Sequence, residues 1–325
     1  MRERWVDNVR GFAIYLVVLG HCIQYASHEG YEFANNIVFK LIYSFHMPLF
    51  MLLTGYLFWY TLSKYSFWNG IIAKLKGIMI PCMTWGLVTY IIDVVMNDWR
   101  PISLYGYLYY TVYSNWFLWA VFYCSLIGFV SKYLFKSKWI GYVIIIIGNY
   151  FIPAFANTTG AKRLMPFFII GILLNQYEVL VRLKKTSVKI ITFIVLCVCY
   201  IAAMLIVPDV ELFTGITGSL LVCFVFWVIS DYCKFGLLTK LGQISIGIYL
   251  FTGIVFYFVI KDYCRITEAY RYAIRAGYVL GLSIVLILIS YLFCKLLGNW
   301  KITGILFLGK EVKKDFSEGN LYINE

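Results

Sequence analysis

The chain has 325 residues, of which 62% are hydrophobic and only 14% charged, whereas a water-soluble domain carries roughly 25% charged residues to cover its surface. Most of its surface therefore faces hydrocarbon. The net charge of +12 reads as the cytoplasmic lysine and arginine bias of a membrane protein, so no nucleic-acid partner is expected and membrane lipid is.

A membrane-spanning helix needs about 20 mainly apolar residues, and ten stretches qualify: 9–27, 37–60, 78–96, 115–135, 139–156, 164–181, 188–207, 212–230, 241–260 and 273–298. The first holds Arg10 and His21 inside its apolar run, which marks a functional helix rather than a cleaved signal segment. The second holds His46 and Pro48. Ahead of the fourth, SLYGYLYYTVY at 103–113 suits the membrane interface, where aromatic rings collect. The nine cysteines fall mostly in apolar stretches, where the thiol serves as a small hydrophobe, and their spacing fits neither a disulfide framework nor a zinc site.

No polar linker divides the chain. The expected architecture is an all-α integral membrane protein, a bundle of about ten transmembrane helices over 1–300, followed by a loosely ordered polar cytoplasmic tail at 301–325. Of the 28 Lys and Arg residues, 20 fall on the side of the two termini and 8 on the other. That asymmetry implies a multi-pass protein of the cell membrane with its N-terminus and C-terminus cytoplasmic.

Chemistry-bearing residues are few. His21 follows Arg10 by eleven residues, about three turns or roughly 16 Å along one helical face, and Asp7 precedes Arg10 on the same stripe. His46 lies about nine residues into the second helix, roughly 13 Å from its start. The two imidazoles can therefore meet near the middle of a bilayer of roughly 30 Å. Pro48 frees a backbone carbonyl on the preceding turn, which suits a helix bending around a cavity. Two histidines without a nearby carboxylate make a poor metal site, so no metal is expected. Proton handling fits imidazole better. The alternative is that His21 is a hydrogen-bonded core residue and Arg10 snorkels to the interface.

Trp116, with Trp119 and Tyr113, sits near the non-cytoplasmic end of the fourth helix. Such rings stack on sugars, but an ordinary aromatic belt is the favoured reading. Lys162 and Arg163, and the set Arg265, Arg271 and Arg275, are basic on the side that should be poor in bases. They suit a charged glycan or a lipid phosphate, with snorkelling as the alternative.

The stretches Asp7 to Ile14 with Val17 to His21, and SFHMPLFMLLTGY from Ser44 to Tyr56, resemble the first two helices of the membrane acyltransferase 3 family. The resemblance is nearest to its fucose 4-O-acetylase-like branch, whose members modify surface polysaccharides. Echoes follow in family order at Trp116-Phe117-Leu118, from Pro166 to Gly171, and from Leu241 to Leu250. The resemblance implies an O-acetyltransferase that uses acetyl-CoA from the cytoplasm and a hydroxyl of an envelope polysaccharide or lipid-linked glycan as acceptor. It implies catalytic roles for Arg10 and His21, which match the family's Arg-x10-His pair, and for His46. Arg10 would either hold CoA phosphates or stabilise the thioester oxyanion. Lys74 and Lys76 stand where the family often carries Arg-x-x-Arg beside the donor; Gly77 takes the second position, so charge is kept and the bidentate fork lost. Tyr56, Trp116 and Arg163 are expected on the acceptor side. Thr252 joins them, standing where the family usually has a histidine. A competing reading is a proton-coupled transporter or exporter of a glycan or lipid precursor that uses the same histidines and arginine. Transporters often show internal repeats and paired broken helices, and the sequence suggests neither. A structural, non-catalytic member of an enzyme complex is a third reading, against which the intact Arg10, His21 and His46 speak.

Overall fold

The structure, a computed structural model, describes residues 3–26, 32–97, 101–136, 139–183, 185–208, 211–260, 263–264, 272–310, 312–314 and 321–323. Helix α1 runs Arg4–Ala26 and α2 Ile37–Lys64. Helix α3, Phe67–Lys74, passes through a π-helical turn at Leu75–Met79 into α4, Ile80–Met96. Then come α5 (Leu104–Tyr109), extended by a second π turn at Tyr110–Ser114, α6 (Trp116–Phe135), α7 (Trp139–Tyr150) and α8 (Thr158–Gln176). The second half holds α9 (Val179–Arg182), α10 (Thr186–Ile206), α11 (Glu211–Ile229), α12 (Gly236–Gln243), and α13 (Ser245–Val255) with a π turn at Phe256–Ile260. The last helices are α14 (Tyr272–Leu297) and α15 (Lys301–Leu308). A short antiparallel hairpin pairs Val312–Lys314 with Leu321–Ile323.

The chain is thus a helical, multi-pass membrane protein. Among the described residues seven helices are long and apolar enough to cross a bilayer: α1, α2, α3–α4, α6, α10, α11 and α14. The bent pair α12–α13 makes an eighth if counted as one span. All ten expected stretches carry a helix, but three depart from a plain span. Helix α7 has only 12 residues, fewer than a bilayer requires. Helix α8 begins at Thr158 and so takes in Lys162 and Arg163. The stretch 241–260 breaks at Ile244, where α12 meets α13 at 75°.

The chain packs as two units, and the divisions fall inside α2 after Leu53, α8 after Ile172 and α14 after Leu292. In the first, residues 1–53 and 173–292, α1 packs against α11, α12 and α13 while α10 packs on α11. Asn36 starts α2 by accepting from the amides of Val38 and Phe39 at 2.9 and 3.2 Å, which satisfies donors that a helix start leaves open. Pro48 cannot donate to the carbonyl of Ser44; that carbonyl accepts from the Thr214 hydroxyl at 3.3 Å instead. One face of α10, with Ile190, Ile191, Ile194, Val198 and Leu205, is exposed, as a lipid-facing helix requires.

In the second unit, residues 54–172 and 293–325, Phe58 anchors an aromatic core with Phe129 and Phe168, ring centres 4.9 and 5.1 Å away. Gly55 lets the backbone at Phe168 approach: a Cβ there would lie 1.9 Å from the Phe168 carbonyl oxygen. The segment expected as a loose tail instead forms α15. Trp85 donates its indole N–H to the Phe307 carbonyl at 3.0 Å and packs edge-on against the Phe307 ring at 5.3 Å. Gly309 ends α15 with φ +70, and the amides of Gly309 and Lys310 donate to Ile305 and Gly304 at 3.1 and 3.2 Å. This is the left-handed C-cap that glycine favours.

Candidate active site

Helix α1 carries the site at two levels. At its first turns Asn8 is buried. Its Nδ2 donates to the Ser230 hydroxyl at 3.0 Å and its Oδ1 accepts from Thr239 at 2.6 Å. Gly11 permits close approach of α12: a Cβ would meet the Leu238 carbonyl oxygen at 2.0 Å. Gly242 does the same in return against the Asp7 carbonyl, at 1.9 Å. The residues around Arg10 are therefore a clamp, and the clamp fixes the half-buried Arg10 on its turn of α1.

At the other level stands a polar and aromatic cluster around His21. Gly20, whose Cβ would lie 2.8 Å from Tyr43 Cε2, leaves room for the Tyr43 ring beside α1. That ring stacks on Phe39 at 3.8 Å and 22°. It lies against His46 at 4.5 Å and 59°, and meets His21 edge-on at 6.5 Å. The two imidazoles thus share one tyrosine as neighbour. The Tyr43 hydroxyl donates to Gln24 Oε1 at 3.3 Å and lies 3.4 Å from His21 Nδ1; Gln24 Oε1 is 3.2 Å from the same nitrogen. Tyr25 and Phe256, stacked on each other at 6.0 Å, pack against the His21 ring with centres 5.8 and 5.2 Å away. His46 is buried, and its Nδ1 sits 2.9 Å from the Ile42 carbonyl. A carbonyl only accepts, so Nδ1 carries the hydrogen and the neutral ring presents its lone pair at Nε2.

The cluster lies toward the end of α1 that leads to α2. Helix α1 starts at Arg4 and ends at Ala26, so only five residues follow His21 in it, roughly 8 Å of helix.

Thr252 is buried, and its hydroxyl donates to the Ile248 and Tyr249 carbonyls at 2.7 and 3.2 Å. Its polar atom is thus engaged by its own helix.

In the second unit, Lys74 and Lys76 flank the start of the first π turn. Lys74 Nζ lies 5.4 Å from the centre of the Phe58 ring, and Lys76 is exposed. A Cβ on Gly309 would lie 2.3 Å from the Gly77 carbonyl oxygen, so the end of α15 rests on this turn. Trp116 and Arg163 come together, the guanidinium 5.5 Å from the indole centre. Gly160 admits the indole edge, which a Cβ would meet at 3.2 Å. Tyr56 is buried and meets Tyr60 edge-on at 6.4 Å. Lys162 donates to the Tyr150 carbonyl at 3.2 Å. Arg275 lies in the first turns of α14, whereas Arg265 and Arg271 lie outside the described residues.

Sequence reasoning missed Gln24, Tyr25, Tyr43 and Phe256. For three of them helical spacing held the signal: Gln24 and Tyr25 follow His21 by three and four residues, and Tyr43 precedes His46 by three, positions that neighbour one another on a helix. Phe256 is distant in sequence and carried no such mark.

The structure is thus a helical membrane fold with two histidines gathered on one tyrosine and an arginine on the same helix as the first. The family model described as an acyltransferase domain, of the acyltransferase 3 type, matches residues 3–295, and the chain belongs to that family. Two relatives are nodulation proteins, both called NolL. The protein from Mesorhizobium japonicum is 30% identical over 185 residues, covering 54% of this chain and 48% of the relative. The protein from Sinorhizobium fredii is 27% identical over 291 residues, covering 78% of each. The first alignment spans about half the relative's length. No solved structure matches the chain.

Proposed function

We propose that this chain is an O-acetyltransferase of the cell membrane. It takes an acetyl group from acetyl-CoA on the cytoplasmic side and places it on a hydroxyl of an envelope polysaccharide or lipid-linked glycan. The observation that carries the reading is the gathering of His21 and His46 on Tyr43 in a chain of this family.

A sugar hydroxyl is a weak nucleophile, and an imidazole within hydrogen-bond reach takes its proton as the oxygen attacks. The new C–O bond forms at the thioester carbonyl, the C–S bond breaks, and the CoA sulfur leaves with the proton that the imidazole returns. Arg10 supplies fixed positive charge for the CoA phosphates or the thioester oxyanion. Lys74 and Lys76 serve the donor as point charges. On the acceptor side Trp116 offers a stacking face beside the Arg163 charge, a pairing their 5.5 Å contact supports. Tyr56 and Thr252 are each proposed to contact the acceptor, Thr252 by its methyl, since its hydroxyl is taken up by its own helix. The membrane topology we propose has ten crossings, with α7 completed by the irregular residues 151–156 after it, α8 and the α12–α13 pair each counted. Both termini are cytoplasmic, as the 20 to 8 split of basic residues supports.

The test is mass spectrometry of surface glycans from cells with and without the gene. The expected result is an ester-linked acetyl group that disappears with the gene and returns with the wild-type copy. Identical glycans in both cells would refute the proposal.

A further inference from the structure

The hydrogen bonds around His21 form a closed triangle whose donors and acceptors have only one consistent assignment. The Tyr43 hydroxyl donates its hydrogen to Gln24 Oε1 at 3.3 Å. Having donated it, that oxygen turns lone pairs toward His21 Nδ1, 3.4 Å away. Gln24 Oε1, an amide oxygen, also only accepts, and it lies 3.2 Å from the same nitrogen. Both partners of Nδ1 are therefore acceptors, so Nδ1 carries the hydrogen and shares it between them. The lone pair of the neutral ring then stands on Nε2. Among the described residues no hydrogen-bond partner meets Nε2 of His21. The ring also packs against Tyr25 and Phe256, which stack on each other beside it with centres 6.0 Å apart.

We infer that Gln24 and Tyr43 are positioning residues for His21: they hold its Nδ1 hydrogen and so present Nε2 as the proton acceptor for the incoming hydroxyl. This inference rests on the proposed function, in which His21 takes that proton. It adds the device that sets the tautomer and orientation. A base needs both, because a ring with its hydrogen on Nε2 cannot accept there. The geometry also gives Tyr43 a second task. Its ring face contacts His46 while its hydroxyl contacts His21, so one side chain sets the spacing of the two imidazoles. Held through its hydroxyl, Tyr43 senses any turn of the His21 ring.

The inference separates from a packing role by the order of variants. Gln24→Glu keeps an acceptor oxygen against Nδ1, whereas Gln24→Met keeps the length and removes the acceptor. Each purified full-length variant is assayed for transfer from acetyl-CoA to a glycan acceptor prepared from the deletion strain, with kcat and KM measured separately. Folding is followed by the thermal midpoint in detergent. The expected result is that Gln24→Met lowers kcat by about 100-fold, the lower end of what a positioned base contributes, with KM for acetyl-CoA unchanged and the midpoint near wild type. Gln24→Glu should retain most of kcat. Tyr43→Phe, which keeps the ring against Phe39 and His46, should lower kcat by about 10-fold, as the loss of one of two acceptors predicts. If Gln24→Met is active and Gln24→Glu is not, the side chain serves packing and the inference is overturned. Should Gln24→Met fail to fold, wild-type kcat in Tyr43→Phe overturns it equally. His21→Ala separates the two levels of argument. If it is inactive while the Gln24 and Tyr43 variants match wild type, the inference alone falls. If it is active, the role of His21 falls and the inference with it.

Discussion

Gly11→Ala tests how closely the base of α1 is bound to α12. The new methyl would sit 2.0 Å from the Leu238 carbonyl oxygen, 2.7 Å from its carbon and 2.9 Å from its Cα. All three are backbone atoms, so no side-chain rotation relieves the contact and α12 must shift by about 1 Å, in an interior that tolerates little change of volume. The overpacking itself costs about 1–3 kcal/mol. The shift also strains the 2.6 Å bond from Thr239 to Asn8, a bond of a kind that contributes about 1 kcal/mol. A total of about 2–4 kcal/mol should lower the thermal midpoint by several degrees, since about 1 kcal/mol moves a chain of 150–250 residues by roughly 2–4 °C, and a longer one by less. The assay is thermal unfolding in detergent, with Gly253→Ala as control because nothing lies within 4 Å of a Cβ there. Acetyl transfer should fall in Gly11→Ala and persist in Gly253→Ala, because Arg10 rides on the displaced turn. Equal midpoints for the two variants would refute the clamp.

A reporter fused after residue 325 should give a cytoplasmic signal; a signal from the far side would sink both the ten-crossing topology and the assignment of the donor side. Arg10→Ala and His21→Ala should each abolish transfer, by at least about 100-fold if a base or a fixed charge is lost, while insertion and the thermal midpoint stay normal. Near-normal glycan acetylation in either would remove that residue from the mechanism. Thr214→Val removes the donor that meets the Ser44 carbonyl freed by Pro48 and should destabilise by about 1 kcal/mol; an unchanged midpoint would show that the carbonyl finds another partner.

Much of this fold was written in the apolar stretches, and the places where the reading failed have physical causes. Counting apolar residues located all ten stretches but could not show that α8 begins at Thr158, ahead of Lys162 and Arg163. The break at Ile244 was hidden because its surroundings, LGQISIG, lack a proline and their two uncharged polar residues, Gln243 and Ser245, are too few to interrupt an apolar window. Averaging over the polar residues of 299–325 concealed the apolar KITGILFL of α15. Its docking on Trp85 and the Gly77 turn is a long-range effect that no local window reports.

The site divides along a different line. Arg10, His21 and His46 were legible because ionisable groups in apolar helices are costly and so signal a use. The burial of the helices follows the same cost. Helix α1 has a mean hydropathy of 1.3 and is 72% buried, whereas α10, at 2.5, is 6% buried. In water that order would be reversed. In a bilayer the most apolar helix is the one that can face lipid, and the helix carrying Asp7, Arg10 and His21 must be enclosed by protein. The first motif then parts into two functions. Asn8 and Gly11 clamp the turn on which Arg10 rides, and the proposed function gives the chemistry to Arg10. A variant series across this turn should therefore split, with Asn8 and Gly11 changes lowering stability and activity together, and Arg10 changes lowering activity alone.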